Sequence, residues 1–130
     1  MQGGPIMEQV LVFTTDREKA QKIEELCSSI GVGFRRLTIG DLRFSVASVV
    51  SGDYKFPLAA AAPLPALYVQ PELMLFNGLK DRTLDAFLKK YRKEKISPIP
   101  LKAVVTPFNC SWTLVELTAQ LQREHANFSR

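Results

Sequence analysis

The polar residues best placed to bind a ligand lie in one turn, between a predicted strand at residues 101–106 and a predicted helix at 113–127. In an open α/β sheet, ligands usually bind at such strand-to-helix turns, and backbone N–H groups at the helix start favour an anion. Polar residues after a neighbouring predicted strand would approach the same place. We therefore predict a site for a small anionic or polar ligand, formed by Thr106, Asn109, Cys110, Ser111, Trp112, Asn77 and Lys80.

The same turn also suits a purely structural role at the start of the last helix. Thr113 and Glu116 have the spacing of a capping box, and Trp112 before the cap can pack on Leu117 after it. Asn109 is a common turn residue. The structural role is the favoured reading of these residues, because most helices have an N-cap, and the ligand site is the alternative.

A catalytic role would fall first to Cys110, which lies just before the predicted helix, where a thiol can be activated. A cysteine nucleophile needs a nearby base, and the single histidine, His125, follows fifteen residues later. Along a continuous helix this separation is roughly 20 Å, so the chain itself offers no Cys–His pair. We expect no catalytic residues, and a small cysteine-dependent enzyme using Cys110 stays as the alternative.

The sequence contains no recognised motif for binding a nucleotide cofactor or a metal ion. There is no Gly-x-Gly-x-x-Gly, no P-loop and no Gly-x-Ser-x-Gly pattern. One histidine and two distant cysteines, Cys27 and Cys110, do not give the spacing of metal ligands. We therefore predict no cofactor and no metal, and we expect Cys27 to be a buried small apolar residue.

The charge of the chain favours no particular partner. The net charge is +4, and the basic excess gathers at residues 89–95. These residues lie on the polar face of a predicted helix over 81–95, whose apolar stripe is Leu84, Phe87, Leu88 and Tyr91. Cations near a helix C-terminus are stabilised by its dipole, and no aromatic platform accompanies them. Nucleic-acid binding through Lys89–Lys95 is therefore a weaker alternative to a solvated helix face.

The composition is that of one globular domain, with 46% apolar and 23% charged residues in a chain of 130. No apolar run reaches the roughly 18 residues that span a bilayer. The N-terminus lacks the basic and apolar pattern of a signal peptide. We therefore expect a single domain over residues 1–130, in the cytoplasm and away from membranes.

Two strand-helix-strand-helix units follow from the periodicity of the chain. The first covers about residues 9–51: a buried strand, a helix with Thr15 and Glu18 as a capping box and Gly31 as its stop, then a strand near 33–39. Residues 41–51 suit either a short helix capped by Asp41 or a strand. The second unit covers residues 72–127. These units predict an α/β fold with a mostly parallel sheet of about four strands, and they suggest an internal duplication.

The segment between the units, residues 52–71, contains four prolines and an alanine tract. It is too long for an ordinary connection and too apolar for a solvated linker. We expect it to fold over the core. A homodimer or partner surface on this segment is the alternative.

Residues 74–125 resemble a bacterial family known as domain of unknown function 3783. The resemblance rests on Leu75-Phe76-Asn77-Gly78-Leu79, Pro100-Leu101-Lys102-Ala103-Val104-Val105-Thr106-Pro107-Phe108-Asn109, Trp112-Thr113-Leu114 and Glu116-Leu117. Val10 to Gly31 is similar to the first half of the family, whereas the middle segment is less acidic than in its members. The resemblance implies a single-domain cytoplasmic α/β protein and no established activity. Our hypothesis is thus a non-catalytic module that binds a small ligand or a protein.

Overall fold

Four short strands form one sheet, and every strand is followed by a helix. The computed structural model describes residues 8–54, 64 and 67–128. The elements are β1 (Gln9–Phe13), α1 (Arg17–Ser29), β2 (Gly33–Arg36), a 3₁₀ helix (Ile39–Arg43), α2 (Val46–Ser51), β3 (Leu73–Asn77), α3 (Asp81–Lys93), β4 (Leu101–Val104) and α4 (Leu114–Phe128). None of the helices in this described part is long and apolar enough to cross a membrane.

The sheet has the strand order β2-β1-β3-β4. Within each unit the two strands are parallel, as expected for strands joined by a helical crossover. The central strands β1 and β3 run antiparallel, with Leu11 opposite Leu75. The predicted α/β fold of two β-α-β-α units with a mostly parallel sheet is therefore confirmed, and one antiparallel pairing joins the units.

The helices cover both faces of the sheet, because side chains of the central strands alternate between two cores. Val10 and Val12 face a core closed by α1 and α3, and Leu11 and Leu75 face a second core closed by the 3₁₀ helix, α2 and α4. The largest fully buried side chains include Phe87, Ile23, Leu26, Met74 and Ile99 in the first core and Leu42, Leu73 and Leu114 in the second.

The two units are related by a pseudo-twofold axis that runs through the sheet between β1 and β3. Gln9 and Arg17 begin β1 and α1, and Leu73 and Asp81 begin β3 and α3, so both elements recur after 64 residues. The paired elements also have equal lengths, with 5 residues in each strand and 13 in each helix. This geometry supports the internal duplication suggested by the sequence.

The repeat continues into the second helix of each unit, where the two halves meet. Val46 N–H donates to the Trp112 carbonyl at 2.8 Å, and Leu114 N–H donates to the Phe44 carbonyl at 3.2 Å. These reciprocal bonds flank a bridge between Ser45 and Thr113, the caps of α2 and α4. The helix starts of the two units are therefore held against each other.

The predicted cap of α1 is wrong by one residue, and the predicted cap of α4 is correct. Thr15 does not cap α1: the cap is Asp16, whose carboxylate accepts from Lys19 N–H at 3.0 Å. The reason is that the Thr14 hydroxyl already accepts from Asp16 N–H at 3.1 Å, so the chain turns one residue later. The predicted capping box of Thr113 and Glu116 is confirmed, with hydrogen bonds of 2.8 and 3.1 Å.

Residues 41–51 form helix and not strand, but Asp41 does not cap α2. That cap is Ser45, whose hydroxyl accepts from Ser48 N–H. Other bounds are shorter than predicted: β2 ends at Arg36, β4 at Val104 and α3 at Lys93. The helix α3 stops early because Lys95 adopts a left-handed backbone with φ of 57°.

The connection between the units lies partly outside the described residues. The alanine tract and the prolines Pro57, Pro63 and Pro65 fall there, so the predicted folding of that part is untested. Of the described residues, Leu64 and Tyr68 pack against the second core, as expected for a segment that folds over it. Leu67 and Val69 are instead exposed by 93% and 82%.

Asp41 fixes the 3₁₀ helix through a buried polar network. Its carboxylate accepts from Thr38 N–H at 2.8 Å, from the Tyr54 hydroxyl at 2.8 Å and from the Arg35 guanidinium at 3.2 Å. Arg35 also donates to the Val49 carbonyl and to the Tyr54 hydroxyl. Because Asp41 is only 7% exposed, its charge depends on these donors.

We expect Asp41→Asn to lower the free energy of unfolding by about 1.5–3 kcal/mol, the usual range for hydrogen bonds to a charged group. The substitution removes the negative charge that faces Arg35. It also places the NH₂ group of the new amide against the donors that Asp41 accepts from. Urea unfolding followed by circular dichroism measures the change. Asp85→Asn, at an exposed position of α3, is the control and should stay within about 0.5 kcal/mol of the original protein. Equal stability of the two variants would contradict the network's role.

Candidate functional site

The sequence-predicted site lies at the edge of the sheet where β3 and β4 end. Asn77 is the last residue of β3, and Thr106 follows β4 after Val105, whose N–H donates to the Phe76 carbonyl at 2.9 Å. Lys80 caps α3 on the same side. The structure therefore brings the two predicted strand ends to one edge, as parallel pairing requires.

The polar groups of Thr106 and Asn109 are used within their own turn. The Asn109 side chain accepts from Thr106 N–H at 2.9 Å and donates to the Val104 carbonyl at 3.0 Å. The Thr106 hydroxyl accepts from the N–H groups of Phe108 and Asn109, both at 3.2 Å. This turn is the counterpart of Thr38 and Asp41 in the first unit, which follow β2 with the same spacing. Asn109 thus has a structural function that needs no ligand.

The next three residues connect the turn to the first unit. The carbonyls of Cys110 and Trp112 accept from Ala47 N–H and Val46 N–H, each at 2.8 Å. The Cys110 thiol lies 3.5 Å from the Pro107 carbonyl, and the Trp112 ring packs half-buried against the second core. Ser111 is exposed. Cys110, Ser111 and Trp112 therefore border the turn, and Trp112 also lines an open space of about 310 Å³ together with Glu116, Ala119, Gln120 and Arg123 of α4.

The start of α3, from which Lys80 was predicted to approach the site, already holds a carboxylate of the chain. Glu8 accepts from Lys80 N–H at 2.9 Å. The backbone hydrogen bond from Lys80, together with one from the Thr83 side chain, lowers the pKa of Glu8. Asn77 turns toward β1 and donates to the Gln9 side chain at 3.4 Å. An external anion at this end of α3 would have to displace Glu8.

The opposite edge of the sheet, where β1 and β2 end, carries an open cleft of about 520 Å³. Because β3 is antiparallel to β1, this edge is distinct from the predicted one. Polar residues after each strand and at the start of α1 line it: Thr14, Thr15, Arg17, Arg36 and Thr38, beside Phe13, Leu37 and Ile39. We refer to it as the Arg17/Arg36 cleft.

A partly buried ionic network joins the cleft at Thr14. The Thr14 hydroxyl donates to one Glu72 oxygen at 2.5 Å, and Lys19 donates to the other at 2.8 Å. Lys19 is only 7% exposed and also donates to the Pro98 carbonyl at 3.3 Å. Arg36 donates to the Thr14 carbonyl at 2.9 Å. Lys19 thereby neutralises Glu72, and within residues 8–54, 64 and 67–128 no carboxylate lies within ion-pair distance of Arg36.

Sequence reasoning missed this cleft, although one signal was present. Thr14 and Thr15 follow a continuously buried strand, as polar residues at a strand end do in binding sites. Arg36 ends the neighbouring strand. Nothing in the sequence marks Glu72, since its contact with Lys19 depends on the antiparallel pairing of the two units.

Cys27 and His125 do not belong to the lining of the Arg17/Arg36 cleft. Cys27 is fully buried in the first core, as predicted. His125 is on an exposed part of α4. Within residues 8–54, 64 and 67–128, no group of three or more histidine, cysteine, aspartate and glutamate side chains could hold a metal ion. In α3, Phe87 and Tyr91 face the core, as the predicted apolar stripe requires.

These features define a three-layer α/β/α domain made of two pseudo-symmetric units, with an open cleft at one strand end. Residues 72–128 match the family model described as Domain of unknown function (DUF3783), which confirms the resemblance of this part of the chain. The match covers less than half of the chain and coincides with the second unit, from β3 to α4. No curated protein and no solved structure matches the chain.

The two cysteines should differ sharply in reactivity. Burial, and secondarily the charge of Glu24, raises the pKa of the Cys27 thiol to about 12, so almost no reactive thiolate forms near neutral pH. We expect iodoacetamide to add once to the native protein, at Cys110, and twice in denaturant, as measured by intact-mass spectrometry.

Cys110→Ser is the matched control and should remove the native adduct. Native labelling of Cys27 at the rate of Cys110 would contradict the burial of Cys27. The rate at Cys110 also tests the enzyme alternative, because labelling no faster than a free model thiol would exclude an activated nucleophile.

Proposed function

We propose that this protein is a non-catalytic binding module that takes a small anionic ligand in the Arg17/Arg36 cleft. The observation that carries the proposal is an open space of about 520 Å³ at the ends of two parallel strands, with two guanidinium groups on its lining. Crevices outside the carboxyl ends of parallel strands are the usual binding places of α/β folds.

The electrostatics of the cleft support an anion. Arginine forms paired hydrogen bonds to carboxylate or phosphate, and Arg17 lies at the first position of α1, where the helix dipole adds positive potential. The pair of Lys19 and Glu72 contributes no net charge. Asp16, which precedes Arg17 in the chain, accepts from Lys19 N–H at 3.0 Å, and Glu24 and Glu25 line a neighbouring space with the same two arginines.

The residues predicted from the sequence form a second proposed contact region of the same module, at the β3/β4 end. Its support is the shared edge of Asn77, Lys80 and Thr106. The internal hydrogen bonds of Thr106 and Asn109 and the Glu8 carboxylate at α3 make it the weaker candidate for a small ligand.

We also propose a bacterial cytoplasmic setting. The support is the free state of Cys27 and Cys110, since cysteines of cytoplasmic proteins are kept reduced.

A thermal-shift screen with nucleotides, phosphorylated metabolites and small carboxylates tests the proposal. We expect at least one anion to stabilise the protein, with binding weakened tenfold or more in the double variant Arg17→Gln/Arg36→Gln, because each charged hydrogen bond contributes about 1.5–3 kcal/mol. Calorimetric titration of the stabilising anion measures the change.

Arg82→Gln is the matched control, because Arg82 is an exposed arginine in the first turn of α3, the counterpart of α1. It should leave the affinity unchanged. No stabilisation by any anion would contradict the proposal, as would equal weakening by Arg82→Gln.

A further inference from the structure

A second, apolar pocket opens directly beside the Arg17/Arg36 cleft. It has a volume of about 190 Å³, and its apolar walls are formed by Phe13, Ile39, Leu42, Leu64, Tyr68 and Val69. Phe13, Thr15 and Ile39 line both spaces. The two are therefore adjoining parts of one continuous depression, and we refer to the second as the Phe13/Tyr68 pocket.

The side chains of Tyr68 and Gln70, two of the polar residues on the lining of this pocket, are already hydrogen-bonded. The Tyr68 hydroxyl donates to the Gln70 side chain at 2.6 Å, and the Gln70 amide donates to the Thr118 hydroxyl at 2.9 Å and to the Pro71 carbonyl at 3.0 Å. A ligand group in the pocket thus meets mainly ring and methyl surfaces, with Thr15 on the side shared with the cleft, and no polar atom of Tyr68 or Gln70 depends on it for a partner. Such a space favours an apolar group.

Two apolar side chains at the rim of the pocket face solvent. Ile39 is exposed by 65% and Val69 by 82%, while Leu42 below them is 1% exposed. Clustered exposed apolar side chains beside a pocket are typical of ligand-binding grooves. A ligand that occupied the pocket would remove both from water.

The positive charge of the adjoining cleft comes from Arg17 and Arg36, and carboxylates near them limit it. The same two arginines line a neighbouring space together with Glu24 and Glu25, and Lys19 neutralises Glu72 at 2.8 Å. A positive potential limited in this way suits a singly charged head group better than a doubly charged phosphate.

From these four observations we infer that the ligand is a small amphipathic carboxylic acid. Its carboxylate lies between Arg17 and Arg36, and its apolar part, about the size of a benzene ring or a six-carbon chain, lies in the Phe13/Tyr68 pocket. Apolar protein cavities of roughly 150 Å³ hold benzene, so a pocket of about 190 Å³ has the required size. This inference rests on the proposed function and specifies its ligand class.

Calorimetric titration with a matched probe series tests the inference. The probes are hexanoate and phenylacetate, then acetate with the head group alone, and hexylamine and hexan-1-ol with the chain but no carboxylate. We expect hexanoate or phenylacetate to bind at least tenfold more tightly than acetate, because the additional apolar carbons leave water. The amine and the alcohol should bind at least tenfold more weakly than hexanoate.

Two variants separate the chain contact from the head-group contact. Ile39→Ser/Val69→Ser should reduce the preference for hexanoate over acetate at least threefold and leave acetate binding unchanged. Both positions are exposed, so the fold does not depend on them. Arg17→Gln/Arg36→Gln should weaken all carboxylates. Val104→Ser, at a 50% exposed apolar position on β4, is the control. It should change neither the preference for hexanoate over acetate nor the affinity for carboxylates.

The outcomes distinguish the inference from the proposed function. Equal binding of acetate and hexanoate, abolished by the arginine variant, would overturn the inference and leave the binding module in place. Equal binding of hexylamine and hexanoate would overturn the carboxylate assignment. Absence of binding by these probes, with a phosphorylated ligand found in the earlier screen, would again overturn only the inference. No binding of any anion would overturn both.

Discussion

The antiparallel pairing of β1 with β3 is the contact on which the rest of the structure depends. It places Leu11 opposite Leu75 at the centre of the sheet, and all the surrounding residues of both strands are buried from Val10 to Phe13 and from Leu73 to Phe76. Each unit alone would leave one long edge of its central strand unpaired, which is unfavourable for buried backbone groups. The pairing satisfies these groups. It also joins the apolar faces of the two units, so that each of the two cores contains side chains from both units.

The same pairing decides where the strand ends lie. Because the units run in opposite directions, the ends of β1 and β2 form one edge of the domain and the ends of β3 and β4 form the other. The two edges differ in their polar groups. At one, Glu8 and the turn of Thr106 and Asn109 satisfy the available polar groups. At the other, Arg17 and Arg36 line an open cleft.

Local features of this fold could be predicted from the sequence, and features that depend on the meeting of the units could not. The capping box of Thr113 and Glu116 and the apolar stripe of α3 need only neighbouring residues, and both are confirmed. The predicted cap of α1, Thr15, is wrong by one residue. Three successive residues, Thr14, Thr15 and Asp16, all have side chains that can cap a helix. The contacts of Glu8 with Lys80 and of Lys19 with Glu72 join residues more than fifty positions apart, and no local pattern indicates such pairs.

The long sequence separation between β1 and β3 also affects the rate of folding. Leu11 and Leu75 are 64 positions apart, so neither core can close until a long loop has formed, and such non-local pairing slows folding. The length of the segment between the units matters far less to stability, because doubling a loop costs only about 0.6 kcal/mol. A longer chain path between β1 and β3 would therefore slow folding more than it would lower the free energy of unfolding.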